Sequence, residues 1–335
     1  MKILFLTAGG SAPKKELGLG HIFRSLNLAS HFKKNDVFFL LEDFGGSEKI
    51  IKKNGYRRII TFRKNENKKN KTIKVIKKFN INLIIIDRYK IPKSFVSKIK
   101  SYVKTVVISD LQDIDFNADL VVNGFIGFKN QIIKNSFGKR CLVGPSFQIL
   151  NKNFSLKKKS SKKFDLLVTF GGLDEKCITD KIIRILRQRD GRLTTKIICA
   201  PVSKQKKGFK KITKNERKWI KISYMTDDMH KEISQAHFGI CSGGITTYEF
   251  ACLQVPFGIV CQNRHQLLTA KHWQKKNFAM NLGLADSLEK NRIEKFLRWA
   301  MSKNKKNKRK IVDGFGSQRI FQEIMKLDGQ KNNKN

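Results

Sequence analysis

The sequence predicts an α/β protein built from two doubly wound domains that face a cleft. Its 335 residues are enough for two domains. Short, unbroken apolar runs alternate with amphipathic stretches of helical length, which is typical of β-α-β units. One polar, basic stretch divides this pattern into two similar halves. Hydrophobic residues make up 40% of the chain and charged residues 29%, a balance that favours folded domains over a disordered tail.

The first half, residues 1–150, is predicted to form the N-terminal domain. Its apolar runs are rich in Ile, Val and Phe and do not alternate with polar residues, as expected of parallel strands that are buried on both faces. Helices are expected between the strands, for example at 21–32 and 47–53. The predicted strands are 2–6, 37–41, 58–62, 83–87, 105–109 and 120–123.

A polar, lysine-rich stretch at 151–163 has the composition of a linker. After it the pattern resumes, and we expect a second domain over 164–327. A basic loop at 303–310 precedes the last predicted helix, and the tail 328–335 is expected to fray. The predicted strands of this half are 164–170, 196–200, 219–223, 238–241 and 256–261.

In doubly wound sheets ligands bind at the carboxyl ends of the strands, so the loops after each strand are the candidate sites. The first strand leads into a glycine-rich loop whose Gly20 is followed by His21, with Arg24 one helical turn further on. A helix N-terminus after such a loop favours an anion. His21 is therefore a candidate general base, and a His that only caps or packs the helix is the alternative. Gly20 and Arg24 are candidate substrate-binding residues.

Two loops of the second half are candidates for binding phosphate and sugar hydroxyls. Gly171 and Gly172 follow its first strand, where their amides are suited to a phosphate; a tight strand–helix turn is the alternative. The other loop offers glycine amides, hydroxyls and one carboxylate within a helical turn, although the carboxylate alone is more typical of a solvated or capping residue. Its candidate residues are Ser242, Gly243, Gly244, Thr246 and Glu249.

Further polar residues follow other predicted strands. They include Asp87 and Tyr89, the pair Ser109–Asp110, and the amides of Asn263 and Gln266, which are suited to hydrogen bonds with a sugar. Each is weak by itself. Together they favour a site for an anionic, nucleotide-like ligand.

The formal net charge of +43 admits two interpretations. One is a nucleic-acid-binding surface. The other is a composition rich in Lys, which we favour because surfaces that read phosphates and bases rely more on Arg. The lysine runs fall between the predicted elements, away from the candidate loops, so the charge is interpreted as a solvated coat. It is also compatible with peripheral attachment to an anionic membrane.

The six cysteines are scattered, without a C-x-x-C pair or a metal-ligand spacing, which is typical of reduced thiols in a cytoplasmic protein. No bound metal or cofactor is expected. The N-terminal apolar run ends at Gly9, too early for a signal peptide, and no run of 18 apolar residues is present.

Several motifs, in this order along the chain, resemble the PseG and SpsG-like nucleotide-sugar hydrolases of pseudaminic acid biosynthesis, which are related to the MurG-like GT-B glycosyltransferases. The motifs are Gly18-x-Gly20-His21-x-x-Arg24, Asp87-x-Tyr89, Gly144-Pro145-x-Phe147, Phe170-Gly171-Gly172-x-Asp174, Ser242-Gly243-Gly244-x-Thr246-x-x-Glu249 and Asp313-Gly314-x-Gly316-x-x-Arg319.

The resemblance implies a GT-B fold of two Rossmann-like domains and an inverting hydrolase that releases UDP from UDP-2,4-diacetamido-2,4,6-trideoxy-β-L-altropyranose. By motif position His21 would activate water, Tyr89 and Asn263 would line the sugar site, and Glu249 would bind the ribose. The diphosphate would contact Gly171, Gly172, Ser242, Gly243 and Gly244. The chain departs from the family in having Thr7-Ala8-Gly9 after the first strand, Ser109-Asp110 in place of an Asp pair, and an ambiguity between Asn263 and Gln266.

Two other functions stay open at this point. A GT-B glycosyltransferase would use His21 on an acceptor hydroxyl instead of water, and the segment 125–129 is a candidate apolar, basic patch for a lipid-linked acceptor. A basic nucleic-acid-binding protein would show steep salt dependence and no role for His21. With the hydrolase as the leading hypothesis, we expect a monomer whose partner is a UDP-sugar and which binds no specific nucleic acid. Its expected setting is surface polysaccharide synthesis or flagellin glycosylation.

Overall fold

The computed structural model describes residues 1–10, 18–156, 160–172, 174, 176–189, 191–199, 212–302 and 310–329. The chain divides into two compact units. The first comprises Met1–Lys152 together with Gly314–Asn335, and the second comprises Asn153–Asp313.

The described part of the first unit contains an eight-stranded sheet in the order β3-β2-β1-β4-β5-β6-β8-β7, in which only the β7–β8 pair is antiparallel. The strands are β1 (Ile3–Gly9), β2 (Val37–Asp43), β3 (Ile59–Thr61), β4 (Leu83–Asp87), β5 (Lys104–Ile108), β6 (Leu120–Asn123), β7 (Gln131–Lys134) and β8 (Arg140–Val143). The helices between them are α1 (Gly20–Ala29), α2 (Ser47–Lys53), α3 (Lys68–Phe79) and α4 (Lys93–Lys100).

Both faces of this sheet are covered, which is why its strands read as unbroken apolar runs. Alternate residues of β1 point to opposite sides: Phe5 packs with Ile22 of α1, whereas Leu6 packs with Val75 of α3 and Val96 of α4. All five side chains are buried.

The second unit contains a six-stranded parallel sheet in the order β11-β10-β9-β12-β13-β14. Its strands are β9 (Phe164–Thr169), β10 (Thr195–Cys199), β11 (Ile220–Tyr224), β12 (Ala236–Cys241), β13 (Phe257–Cys261) and β14 (Ala279–Leu284). Its helices are α5 (Ile178–Arg187), α6 (Met229–Ser234), α7 (Thr246–Cys252), α8 (Arg264–Lys275) and α9 (Lys290–Ser302). One face of the sheet packs on α5 and α9 through Ile182 and Phe296.

The last helix, α10 (Gly316–Gly329), belongs to the first unit, although the sequence analysis placed its residues in the second domain. Its Ile320 and Ile324 are buried in the core that contains Phe5 and Ile22. Gly316 lies so close to Gln148 that an added Cβ would come within 2.1 Å of that residue's carbonyl oxygen. The helix α10 therefore completes an apolar seam of the first unit, the one that contains Phe5 and Ile22.

Three strands were missed by the sequence analysis. They are β7, whose residues are mostly exposed, its partner β8, and β14, most of whose residues are only partly buried. The proposed apolar patch at 125–129 does not lie on the surface as a whole, because Phe125 and Ile126 are 4% and 0% exposed. Most of the predicted basic loop 303–310, the linker residues 157–159 and the tail after 329 lie outside the described residues. Within the described chain, no helix has the length and apolar character needed to cross a membrane.

Candidate functional site

In each sheet, one pair of neighbouring strands marks the point where the winding reverses direction, and we call it the switch point. Ligands of doubly wound sheets bind beyond the carboxyl ends of these two strands. In the first unit the switch point lies between β1 and β4, and in the second between β9 and β12. The candidate site of each unit is therefore sought there.

At the first switch point, His21 of α1 meets Asp87, the last residue of β4. The two residues are 66 positions apart in the chain, and their Nδ1 and Oδ1 atoms lie 2.7 Å apart. The carboxylate is fully buried, whereas the His21 side chain is 15% exposed. His21, the predicted base, is thus bonded to a buried carboxylate, and part of its side chain stays exposed to solvent.

Arg24 lies one turn after His21 on α1 and bonds to two carboxylates. Its Nε and Nη2 donate to Asp87 at 2.9 and 2.5 Å, and its Nη1 and Nη2 donate to Asp110 at 2.5 and 3.1 Å. Its side chain is only 6% exposed, and that of Asp110 is 49% exposed. The structure therefore places Arg24, a predicted substrate ligand, in an internal ion-pair network.

The network keeps its carboxylates ionised. Burial opposes ionisation of Asp87, but Arg24 and His21 outweigh it and lower the pKa of Asp87 to about 2. Burial likewise opposes ionisation of Asp110, whose pKa is nevertheless lowered, chiefly by Arg24. For Arg24 itself, burial is outweighed by Asp110 and Asp87, so its pKa lies well above the usual value.

An ionised Asp87 accepts hydrogen bonds and cannot donate them, so the proton between the two groups belongs to Nδ1 of His21. In the neutral ring this leaves the lone pair on Nε2. The pair Asp87–His21 thus has the arrangement of a carboxylate-oriented general base, in which the carboxylate also stabilises the imidazolium formed on proton uptake.

Two other predicted residues lie close to this pair in the chain. Gly20 is the first residue of α1, directly before His21. Tyr89 follows β4, is 39% exposed, and has the Lys90 ammonium 5.4 Å from its ring centroid. The sequence analysis noted Asp87 and Asp110 only as polar strand ends. Their convergence on one arginine depends on the pairing of β4 with β5 and has no signal in the local sequence.

The second switch point is lined by backbone amides, hydroxyls and amide side chains, with the carboxyl groups of Asp174 and Glu249 beside them. Gly171 follows β9 with a φ of +75°, a conformation that favours glycine, and no neighbouring atom would touch a Cβ placed on it. Gly172, beside it, is partly exposed. Asp174 lies further along this loop, and its two carboxylate oxygens accept the backbone N–H groups of Ile178 and Thr179 at the start of α5.

The two predicted amide side chains, Asn263 and Gln266, are used within the protein. Asn263 caps α8, its Oδ1 accepting the backbone N–H of Gln266 at 3.3 Å. Gln266 Oε1 accepts the backbone N–H groups of Gly243 and Gln262 at 3.2 and 2.9 Å. Gln262 in turn donates to the carbonyl of Phe170 at 3.2 Å. These bonds link the loops after β9, β12 and β13.

The loop after β12 divides into an occupied and an open part. The amide of Gly243 already bonds to Gln266, and a Cβ on Gly243 would come within 2.8 Å of the Gln266 Cβ. Nothing would meet a Cβ on Gly244, which faces open space. Ser242 is buried, and Thr246 and Glu249 lie partly exposed on the first turn of α7. Burial raises the pKa of Glu249 to about 7, against a hydrogen bond from Thr246.

The described residues hold no group of three His, Cys, Asp or Glu side chains arranged to bind a metal ion. The six cysteines are unpaired thiols, and all but Cys177 are buried. At the two switch points the described side chains thus present one His–carboxylate pair, and one set of amides and hydroxyls with the carboxyl of Glu249 beside it.

Structural comparison identifies the class of fold. Over 97% of the chain, the protein resembles MurG of Acinetobacter baumannii (TM-score 0.63, 15% identity, all of that chain) and the glycotransferase of kitacinnamycin (TM-score 0.66, 9% identity, 98% of that chain). It is similarly close to the UDP-GlcNAc 2-epimerase of Methanocaldococcus jannaschii, solved with UDP-GlcNAc and UDP (TM-score 0.62, 13% identity, 97% of this chain and 99% of that one). The protein has the GT-B fold, as the sequence predicted.

Sequence comparison gives two relatives. An uncharacterized protein of M. jannaschii is 28% identical over 283 residues, which are 79% of this chain and 57% of that protein, so the chain spans a little over half of its length. The spore coat polysaccharide biosynthesis protein SpsG of Bacillus subtilis is 25% identical over 289 residues, or 81% of each chain. No protein-family model matches the chain. The likeness to SpsG and to the GT-B structures supports the superfamily that the motifs indicated.

Proposed function

We propose that the protein is an enzyme acting on a UDP-sugar, and that it hydrolyses the bond between the sugar and UDP. The loops after β9 and β12 bind the UDP part through the amides of Gly171, Gly172 and Gly244, while Glu249 accepts the ribose hydroxyls. His21 acts at the sugar. The observation that carries this proposal is the His21–Asp87 pair, 2.7 Å apart, at the switch point of the first unit.

In the proposed reaction His21 Nε2 removes a proton from water as the water oxygen attacks the anomeric carbon from the face opposite UDP. The bond between that carbon and the UDP oxygen breaks, and UDP leaves with the electron pair. The products are the free sugar with inverted configuration, UDP, and an imidazolium that returns its proton to solvent. General-base catalysis of this kind contributes roughly 10²–10⁴-fold to a rate, and amides near the leaving diphosphate stabilise its developing charge.

For the substrate we propose UDP-2,4-diacetamido-2,4,6-trideoxy-β-L-altropyranose, on the basis of the motifs that resemble the pseudaminic acid hydrolases. The likeness to SpsG, named for polysaccharide biosynthesis, supports a role in making a surface sugar. The structure adds a difference: Arg24 and Gln266, predicted to bind the substrate, are engaged with protein groups. The accessible candidates in the sugar half are His21 and Tyr89.

A glycosyltransferase is the second candidate, because glycosyltransferases are among the proteins of similar fold. It needs the same base and the same UDP-binding loops, with an acceptor hydroxyl in place of water. The predicted acceptor patch at 125–129 gives it little support, since Phe125 and Ile126 are buried.

The deciding experiment incubates the purified protein with candidate UDP-sugars, the diacetamido trideoxy sugar first, without any acceptor, and measures UDP. We expect UDP release in water and a loss of roughly 10²–10⁴-fold in His21→Ala, with UDP affinity retained.

Release of UDP only after addition of a sugar or lipid acceptor would establish the transferase instead. Release that is unchanged in His21→Ala would contradict the assignment of the base. Proton NMR of the first-formed sugar anomer tests inversion in the same reaction.

A further inference from the structure

We propose that Arg24 and Asp110 are positioning residues that fix the ring and the tautomer of His21. The kinetic part of this inference rests on the proposed function, whereas its structural part does not. Arg24 would thus act through Asp87 and His21, and would not touch the sugar.

The planar guanidinium of Arg24, here called its fork, holds two carboxylates, one on each of two adjacent edges. One edge, Nε and Nη2, binds the two oxygens of Asp87, and the other, Nη1 and Nη2, binds the two oxygens of Asp110. Four of the five N–H groups of the guanidinium are used in this way. A lysine ammonium carries one compact charge and cannot hold both carboxylates in fixed orientations.

The same bonds decide which nitrogen of His21 carries the proton. Nη2 of Arg24 lies 3.1 Å from His21 Nδ1, but both of its hydrogens are directed to carboxylates. Arg24 therefore leaves Nδ1 to donate to Asp87 Oδ1, which accepts from both neighbours. The hydrogen bond at one ring nitrogen selects the form in which the other is free.

Asp110 is the outer end of this chain of contacts. Because its side chain is half exposed, Asp110→Asn does not leave a buried cavity. It replaces one of the two acceptor oxygens that hold an edge of the Arg24 guanidinium by an NH2 group, which cannot accept, and it removes the negative charge. The Arg24 guanidinium is then held firmly only by Asp87, so the Asp87 carboxylate and the His21 ring bonded to it are less firmly oriented.

The first test reads the tautomer directly and needs no substrate. The protein is labelled with ¹⁵N at its 6 histidines, of which His21 is one. An NMR spectrum that correlates the ring nitrogens with the carbon-bound ring protons is then recorded at mildly alkaline pH. Its signals are assigned by their loss in His21→Asn. We expect a single Nδ1–H form in the wild type and averaged nitrogen signals from both forms in Asp110→Asn and Arg24→Lys.

The second test separates kcat from KM. We expect Asp110→Asn to lower kcat for UDP release by about 10- to 100-fold, the scale of a misplaced catalytic group, with KM unchanged. Asp113→Asn is the matched control, since Asp113 lies on the same loop, is 51% exposed and pairs with Lys93 at 3.6 Å. It should leave the His21 signals, kcat and KM as in the wild type.

An unchanged His21 spectrum in Asp110→Asn overturns the inference, as does a rise in KM without a fall in kcat, which would make Asp110 a substrate ligand. If Arg24→Lys does not fold, Asp110→Asn decides alone. If the wild type releases no UDP from any UDP-sugar while the tautomer changes as expected, the proposed function fails and the positioning role stands.

Discussion

The two switch points occupy equivalent positions in similar sheets, yet they are built from different kinds of chemical group. At β1 and β4 the first unit places an interlocked set of charges, with Arg24 between Asp87 and Asp110 and His21 against them. At β9 and β12 the second unit places glycine amides and hydroxyls on loops that the neutral side chains of Gln262 and Gln266 hold together.

The difference follows from what charged side chains and backbone amides can each do. Moving a proton requires a titratable group whose protonation state and orientation are fixed, and charged neighbours fix both. Binding a diphosphate requires several N–H groups at close range, and glycines allow the backbone to approach. Under the proposed function, the first switch point supplies the proton-transfer chemistry and the second binds the diphosphate, and the two differ in the side chains at their strand ends.

The largest expected effect tests whether charge holds the first switch point together. Arg24→Met leaves Asp87 buried without its cation, and breaking a buried pair in this way costs ~3–5 kcal/mol. Thermal unfolding should show the loss, and hydrogen–deuterium exchange should place it in α1 and β4. Gln266→Leu, the corresponding change at the second switch point, removes neutral hydrogen bonds and should cost only ~1–3 kcal/mol, with faster exchange in α8.

The pH dependence of the Arg24→Met effect has a definite sign. Because the pKa of Asp87 is lowered from 3.8 to about 2, its ionisation stabilises the folded state above 3.8, and this contribution is lost as the pH falls toward about 2. The difference between wild type and Arg24→Met should therefore shrink over that range. A difference that is constant with pH would mean that the guanidinium acts by packing alone.

A pair of neighbouring glycines sharpens the comparison at the second switch point. A Cβ on Gly243 meets Gln266, whereas a Cβ on Gly244 meets nothing in the protein. We expect Gly243→Ala to lower the melting temperature, and Gly244→Ala to leave it unchanged while weakening UDP binding about 10-fold, or ~1.4 kcal/mol. Calorimetry with UDP and a melting curve for each variant separate the two. Unchanged UDP affinity in Gly244→Ala would show that the ligand does not approach this backbone.

The last prediction concerns Glu249, whose carboxyl behaves in the opposite sense to Asp87. Burial raises its pKa from 4.5 to about 7, so the protonated form stabilises the folded state below 4.5 and this contribution is lost as the pH rises to about 7. The stability of the wild type relative to Glu249→Gln should fall over that interval and then level off. Chemical denaturation at a series of pH values measures it, and a flat difference would contradict the burial of this carboxyl.

Much of the fold was predictable because its signal is local. The runs at Leu83–Asp87 and Leu120–Asn123 were predicted with their observed bounds, since strands buried on both faces carry an unbroken apolar run. The strand Gln131–Lys134 was missed because it lies at an edge with mostly exposed residues, so no hydrophobic pattern marks it.

The candidate site was less predictable, because the roles of its residues depend on contacts between positions that are far apart in the sequence. His21 was marked by its own loop, but the role of Arg24 depends on Asp87, 63 residues away, and Asp110, 86 residues away. Likewise the Gln266 side chain looked free for a ligand until the structure brought Gly243 against it. A polar residue at a strand end is visible in sequence, whereas its partner is set by the strand order.

The return of α10 to the first unit has a consequence for how the chain is made. A ribosome completes Asn153–Asp313, one continuous segment, before it adds the helix that fills the seam beside Phe5 and Ile22. The second unit can therefore assemble during synthesis, while the first waits with an apolar groove uncovered. The unit whose residues leave the ribosome first is thus the one whose hydrophobic core is completed last.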